Sequence, residues 1–490
     1  MLEIDNRVSG MKPKWSQLNW REITTRVGRI QRQIYRWTSE GKEVHGLQRV
    51  LINLFEAKLL AVRRVTQDNT GKKTAGVDGV KSLSPSKRWE MAKSLEIDGK
   101  SDQIKRVWIP KPNSKELRPL GIPTMRDRAK QALALIALEP EWEAKFERNS
   151  YGFRPGRSTL DAIEAIHSSI NKKPKYVLDG DIRKCFDRIN HERLLSKMKT
   201  FPKMNRQIRS WLQAGIIDEG AEMFPQEGTP QGGVISPLLS NIALHGMENM
   251  LLDWVETLPA YNPGGTLLSR KARRSRMTIV RYADDFVVLH PDLEVIKEAK
   301  SRLSDWLKPM GLELHPDKTF IRHTFLKYES KPGFKFLGFW IRNYSVQRRE
   351  EGKRLSGYKT YVRPHPDNIS RVPASIRKVL VSARDVRAVV QRLQPIITGW
   401  SNYFRSAASK STFSAMDKVL MAKLMNWARK KHPRRTREWA RNKYLLLDGS
   451  RKRFGYRLDD NQKTLVGIKY FAETSLHSAA YESHRSSQSL

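Results

Sequence analysis

Residues 277–290 read Met-Thr-Ile-Val-Arg-Tyr-Ala-Asp-Asp-Phe-Val-Val-Leu-His, two β-rich runs joined by a tight segment that holds two adjacent carboxylates, Asp284 and Asp285. That pattern predicts a β-hairpin presenting acids at its turn. Neighbouring aspartates repel, and flanking apolar strands strip part of their hydration, so the pair is unfavourable unless a cation is shared between them. A divalent metal resolves the conflict. An Asp-Asp pair is also ordinary turn chemistry, so the motif needs company before it carries a function.

A second element of similar form precedes it. Lys175–Ile182 is an apolar run ending in Asp179, Gly180 and Asp181, with Phe186 and Asp187 just after. Three carboxylates converging on hard cations is the arrangement that two-metal phosphoryl transfer requires. Oxygen donors favour magnesium, and two ions are expected. The single cysteine, Cys185, excludes a disulfide framework and any paired-cysteine zinc site within these 490 residues.

Charge narrows the partners. Lys and Arg number 91 against 51 Asp and Glu, a formal charge of +40, which calls for an anionic partner and points to nucleic acid. No apolar run is long enough to span a bilayer, and the basic residues are spread over the whole chain rather than flanking one amphipathic helix, so no membrane association is expected. Residues 1–11 have no secretory apolar core, which makes a cytoplasmic location the default.

Periodicity divides the chain. Residues 15–65 carry apolar side chains at three-to-four spacing and read as helices, followed by a polar, Gly-punctuated loop from Asn69 to Gly79 whose Lys72 and Lys73 could meet phosphates. Strands are expected at 106–110, 175–182, 277–281, 286–290 and 335–341, with helices at 127–146 and 160–171, an α+β pattern. From near Pro364 the pattern is helical. Residues 429–457 interleave Arg434, Arg435, Arg437, Arg441 and Lys443 with Trp439, Tyr444, Phe454 and Tyr456, a composition suited to phosphates and stacked bases. The last residues, Glu473–Leu490, are Ser- and His-rich with little apolar content, and 466–490 is expected to be a disordered tail.

Tyr282-Ala283-Asp284-Asp285 resembles the acid box of reverse transcriptases, in the form usual for group II intron enzymes. The resemblance extends over an ordered series: Arg118–Pro123, Tyr151–Ser158, Asp179–Ile182 with Phe186-Asp187, Gly228–Leu238, the acid box, Gly311–Thr319 and Phe336–Phe339. Leu393–Arg405 is similar to the thumb or maturase region of intron-encoded proteins.

The resemblance implies roles. Asp181, Asp284 and Asp285 would be catalytic and, with Ile182, would hold the metals. Lys111 and Arg118 would neutralise the phosphates of an incoming deoxynucleoside triphosphate. Gln231 and Gly232 would lie against that nucleotide, Lys318 would stand near nucleotide and template, and Phe336–Phe339 would grip the primer. Phe186 would sit beneath the ribose, leaving no room for a 2′ hydroxyl; its plain alternative is a buried core ring.

The implied architecture is a right-hand polymerase: an N-terminal helical extension (1–65), fingers and palm with an antiparallel palm sheet (66–345), a helical thumb or maturase domain (364–428) and a small basic DNA-binding region (429–465). The implied activity is RNA-directed DNA synthesis, with group II intron RNA bound as a ribonucleoprotein whose splicing is assisted, and with target DNA as a partner in mobility. Many relatives continue into a zinc-stabilised nuclease with paired cysteines; none follows Cys185, so second-strand cleavage by the chain itself is not expected. A splicing factor whose polymerase fold is a relic, and a reverse transcriptase serving a different system, stay open, as does oligomeric state.

Overall fold

The computed structural model describes residues 15–110, 116–171, 173–218, 220–350, 353–458 and 465–476. Two compact units form, one from Met1–Ala162 with Leu178–Phe320 and the other from Ile163–Val177 with Ile321–Leu490. The secondary structure is mixed helix and strand, and its hairpins and meanders are antiparallel. Among the described residues no helix is long and apolar enough to cross a membrane.

The first unit is organised around the helix Met125–Lys145. Thr124 caps it by accepting from the Asp127 backbone N–H, and most of the side chains from Met125 to Leu138 are buried. Three N-terminal helices, Trp20–Ser39, His45–Asn53 and Phe55–Arg63, pack against it. In the first of these Ile23, Val27 and Ile34 make the buried stripe that the spacing predicts. Two polar contacts fix the packing: Gln31 Nε2 donates to the Ile136 carbonyl at 2.9 Å, and buried Gln48 donates to Glu141 at 2.6 Å.

Two sheets stand in this unit. The first joins β1 (Ile104–Pro110) and β2 (Leu117–Ile122) as an antiparallel hairpin, Ile109 opposite Arg118, and continues from β1. The second carries the acids. Its strand β3 (Tyr176–Asp181) enters the unit at Leu178; β4 (Ile216–Asp218) and β5 (Ala221–Met223) complete the first sheet in the order β2-β1-β4-β5. β6 (Thr278–Tyr282) and β7 (Asp285–His290) are an antiparallel hairpin, and β7 lies between β6 and β3.

In the second unit a three-stranded antiparallel sheet, Phe334–Phe336, Phe339–Glu350 and Lys353–Pro364, precedes helices Pro366–Ser382, Val386–Phe404, Lys410–Lys431 and Arg437–Tyr444. The single strand expected at 335–341 is instead a hairpin: Leu337 (φ +46°) and Gly338 (φ +82°) turn the chain so that Phe336 pairs with Phe339. Apolar alternation continues through such a turn, which is why periodicity alone reads it as one strand. The helix Lys410–Lys431 runs through residues 428 and 429 without a break. Within the stretch expected to be a tail, Leu465–Gly467 is a strand and Phe471–Leu476 a helix. Asp417 secures that helix by accepting from the backbone N–H groups of Phe471 and Ala472, and Glu473 pairs with Arg453. Residues from 477 onward lie outside the described residues.

Candidate active site

The acid hairpin has the shape its sequence predicts. Tyr282 and Asp285 are the last paired residues, leaving Ala283 and Asp284 as a two-residue loop. Ala283 sits at φ +58°, a conformation that disfavours a side chain with Cβ and persists only where the surroundings enforce it. Here they do. The Gly152 position is so close that a Cβ there would lie 2.3 Å from the Ala283 nitrogen, and Tyr151 N–H and Asn149 C=O bond the carbonyl and N–H of Arg281 at 2.9 Å each.

Arg281 itself is buried behind the turn. Its guanidinium donates to the Asn241 side-chain oxygen (2.9 Å), the Ala283 carbonyl (3.2 Å) and Ser150 Oγ (2.6 Å). Burial pulls its pKa down to about 10. Asn241, on helix Ser236–Leu244, also donates to the Gly152 carbonyl at 2.8 Å. Sequence reasoning assigned Arg281 and Asn241 no role. One signal was available, an amide in the middle of the apolar helix Ser-Pro-Leu-Leu-Ser-Asn-Ile-Ala-Leu.

β3 delivers the third acid through a close approach. A Cβ on Gly180 would lie 2.3 Å from the Phe286 ring, so only glycine between Asp179 and Asp181 lets β3 and β7 meet. Beyond Asp181 the chain pairs with 313–315: His315 N–H donates to the Asp181 carbonyl at 2.8 Å, Ile182 bridges to Leu314, and Arg183 N–H donates to Glu313. Cys185 lies buried beneath, its thiol pushed up to about 12 by burial and then by the Asp284 charge.

The electrostatics match the expectation of conflicting charges. Burial, then repulsion from Asp181, raises the Asp284 carboxyl above the usual carboxylate range, while Arg118 and Lys318 act in the opposite direction. Asp285 is pushed up to about 7 by desolvation, then by Asp284, Asp181 and Asp179. Its side chain still reaches solvent, so hydration offsets part of that cost. The Lys318 ammonium bonds Asp181 at 2.8 Å. Among the described residues no three His, Cys, Asp or Glu side chains are gathered as a preformed metal shell. The donors are nevertheless all hard oxygens with surplus negative charge, which fits magnesium in kind.

The glycine-rich segment 228–233 closes another side. Thr229 N–H donates to the Phe186 carbonyl (2.6 Å), Gln231 Nε2 to Asp187 (3.2 Å), and Gly121 N–H to the Gln231 carbonyl (2.7 Å). Gly232, at φ +118°, lies where a Cβ would be 2.7 Å from the Gly121 oxygen. Phe186 is half-buried, edge-on to the exposed Phe153 ring at 6.2 Å.

Thus Asp181, Ile182, Asp284, Asp285, Arg118, Phe186, Gln231, Gly232 and Lys318 all fall in one unit. Lys111 and the Lys72 side chain lie outside the described residues; Lys73 is exposed on the short helix Thr70–Lys73. The loop from Asn69 to Gly79 is tethered: buried Arg128 donates to the Gly71 and Thr74 carbonyls, and Asp78 accepts from Met125 N–H. Arg434, Arg435, Arg437, Arg441 and Lys443 are exposed in the second unit, where Arg435 and Lys443 stack on Trp439.

Comparison with known proteins gives three family matches: reverse transcriptase (RNA-dependent DNA polymerase) over residues 109–341, N-terminal domain of reverse transcriptase over 15–95, and the group II intron maturase-specific domain over 369–445. The chain is 34% identical to protein YkfC of Escherichia coli over 64% of its own length and 87% of that protein's. It is 32% identical to the group II intron-encoded protein LtrA of Lactococcus lactis, over 65% of the chain, and spans 61% of that relative's length. Maturase-like protein 1 of Euglena gracilis is 26% identical over 80% of the chain and 78% of its own length.

Proposed function

We propose, from the premise that the chain belongs to the group II intron reverse transcriptase and maturase family, that it copies RNA into DNA at the acid hairpin and binds its intron RNA to assist splicing. The observation that carries the reading is the meeting of β3 and β7 over Gly180, which puts Asp181 beside the Asp284-Asp285 turn. In this reading the first sheet belongs to the fingers and the acid sheet to the palm, while the helices from Pro366 onward make the thumb and maturase region.

Magnesium, held by Asp181, Asp284, Asp285 and the Ile182 carbonyl, would supply the Lewis acidity that activates a primer 3′ hydroxyl and steadies the triphosphate. Arg118 would clamp phosphate oxygens with its forked donors. Lys318, released from Asp181, would turn its ammonium to the same anion. Gln231 and the bare Gly232 backbone would seat the nucleotide, with Phe186 excluding a 2′ hydroxyl. Arg281, through the Ala283 carbonyl, would hold the turn in the ligating geometry. Target DNA would supply the primer during mobility, and the basic residues 434–443 would meet its backbone.

The test is primer extension on an RNA template with deoxynucleotides and magnesium. Asp284→Asn with Asp285→Asn should abolish copying while RNA binding and splicing assistance persist, because the acids sit at the reacting centre rather than across the RNA surface. Copying by neither the unchanged protein nor the variant would favour a splicing factor with a relic polymerase fold.

A further inference from the structure

The hairpin Phe339–Glu350/Lys353–Pro364 has two unlike faces. One buries Phe339, Ile341, Asn343, Thr360 and Val362. On the other, three successive cross-strand rungs each pair one aromatic with one cation, and the cation changes strand at every rung: Trp340 opposite Arg363, Arg342 opposite Tyr361, Tyr344 opposite Lys359. The rings hold the cations in place. Arg342 lies 4.6 Å over Tyr344, Arg363 lies 4.9 Å over Tyr361, Lys359 lies 5.3 Å over the same ring, and the two tyrosines meet edge to face at 5.3 Å.

None of the three cations has a carboxylate partner among the described residues, and Lys359 and Arg363 are exposed. Unpaired like charges on successive rungs, about 7 Å apart by strand rise, repel, so the array lacks an anion of its own. Arg342 lies over Tyr344, and Lys359 and Arg363 lie over Tyr361, so the two tyrosine rings are engaged by cations rather than offered to bases. What remains open are guanidinium and ammonium N–H groups held at strand spacing, which suit a repeating anion.

Resting on the reading above that this chain works on nucleic acid, we propose that this face is a track for the sugar–phosphate backbone of one strand, contacting successive phosphates without reading sequence. The strand could come from folded intron RNA or from a template–primer duplex, and the experiment separates them.

The variant Arg342→Gln/Lys359→Gln/Arg363→Gln and the milder Lys359→Gln/Arg363→Gln, altered only at exposed positions, are compared with the unchanged protein. Binding of a fluorescent group II intron transcript, and separately of an RNA template annealed to a DNA primer, is measured across a salt series. Each lost phosphate contact lowers the slope of log affinity against log salt by about 0.7–0.9, so the triple variant should lose roughly two units of slope and on the order of tenfold in affinity near physiological salt. Arg342→Lys/Arg363→Lys should keep the slope. A fall with only one probe supports the track and identifies the strand; unchanged slopes with both overturn it, and the milder variant decides if the triple does not fold. Addition of a single nucleotide at saturating enzyme should persist. An unchanged protein that binds both probes but adds no nucleotide would overturn the polymerase reading while the slopes still decide the track.

Discussion

At the scale of single residues, Asp285 is the most informative side chain in the molecule. Its carboxyl is held up to about 7 by desolvation and three neighbouring acids, so between pH 4 and 7 the folded chain binds a proton that the unfolded chain releases. Stability from this group is therefore full at low pH and lost as pH rises through about 7. Without magnesium, Asp285→Asn should melt higher than the unchanged protein at pH 8, on the order of 1–2 °C for a chain of this size, with the gap closing toward pH 4. Magnesium should reverse the order at pH 8. Melting curves that differ equally at both pH values would mean that Asp285 does not carry this strain. The acid pair itself was legible in the sequence because a turn flanked by β-branched runs is a local pattern. Arg281 was not: its partners Ser150 and Asn241 lie 131 and 40 positions away, and no local signal distinguishes a buried arginine from a surface one.

At the scale of elements, strand β3 and strand β7 are brought together by an absence, the missing Cβ of Gly180. Gly180→Ala should force Phe286 aside, lower stability by about 1–3 kcal/mol as overpacking does, and reduce primer extension by parting Asp181 from the hairpin. Adding Phe286→Leu should restore part of both, read from urea midpoints and extension rates. An alanine variant with unchanged activity and midpoint would show that the two strands have slack. Strands 104–110, 176–181, 278–282 and 285–290 and the helix at 125–145 lie close to where periodicity places them, because each is long or sharply bounded. The 334–341 hairpin was missed although Gly338 offered the cue, since hydrophobic alternation is blind to the hand of the backbone. The order in Leu465–Leu476 was missed because Asp417, which secures it, lies more than fifty positions earlier.

At the scale of the whole molecule, a formal charge of +40 makes self-repulsion a standing cost of the folded state. Raising sodium chloride from low to moderate concentration should raise the melting temperature by a few degrees, and a polyanion such as heparin should do more at equal ionic strength. A melting temperature that falls steadily with salt would place the balance in specific ion pairs instead. The helix Met125–Lys145, walled on one side by the three N-terminal helices and buried along most of its length, has a bearing on ancestry and engineering alike. A segment that shares a core with the catalytic body cannot be traded as a cassette. Chimeras that join the first sixty residues of one relative to the remainder of another will be viable only when the facing surface of this helix travels with them, so the two stretches should drift together through descent as a single heritable block.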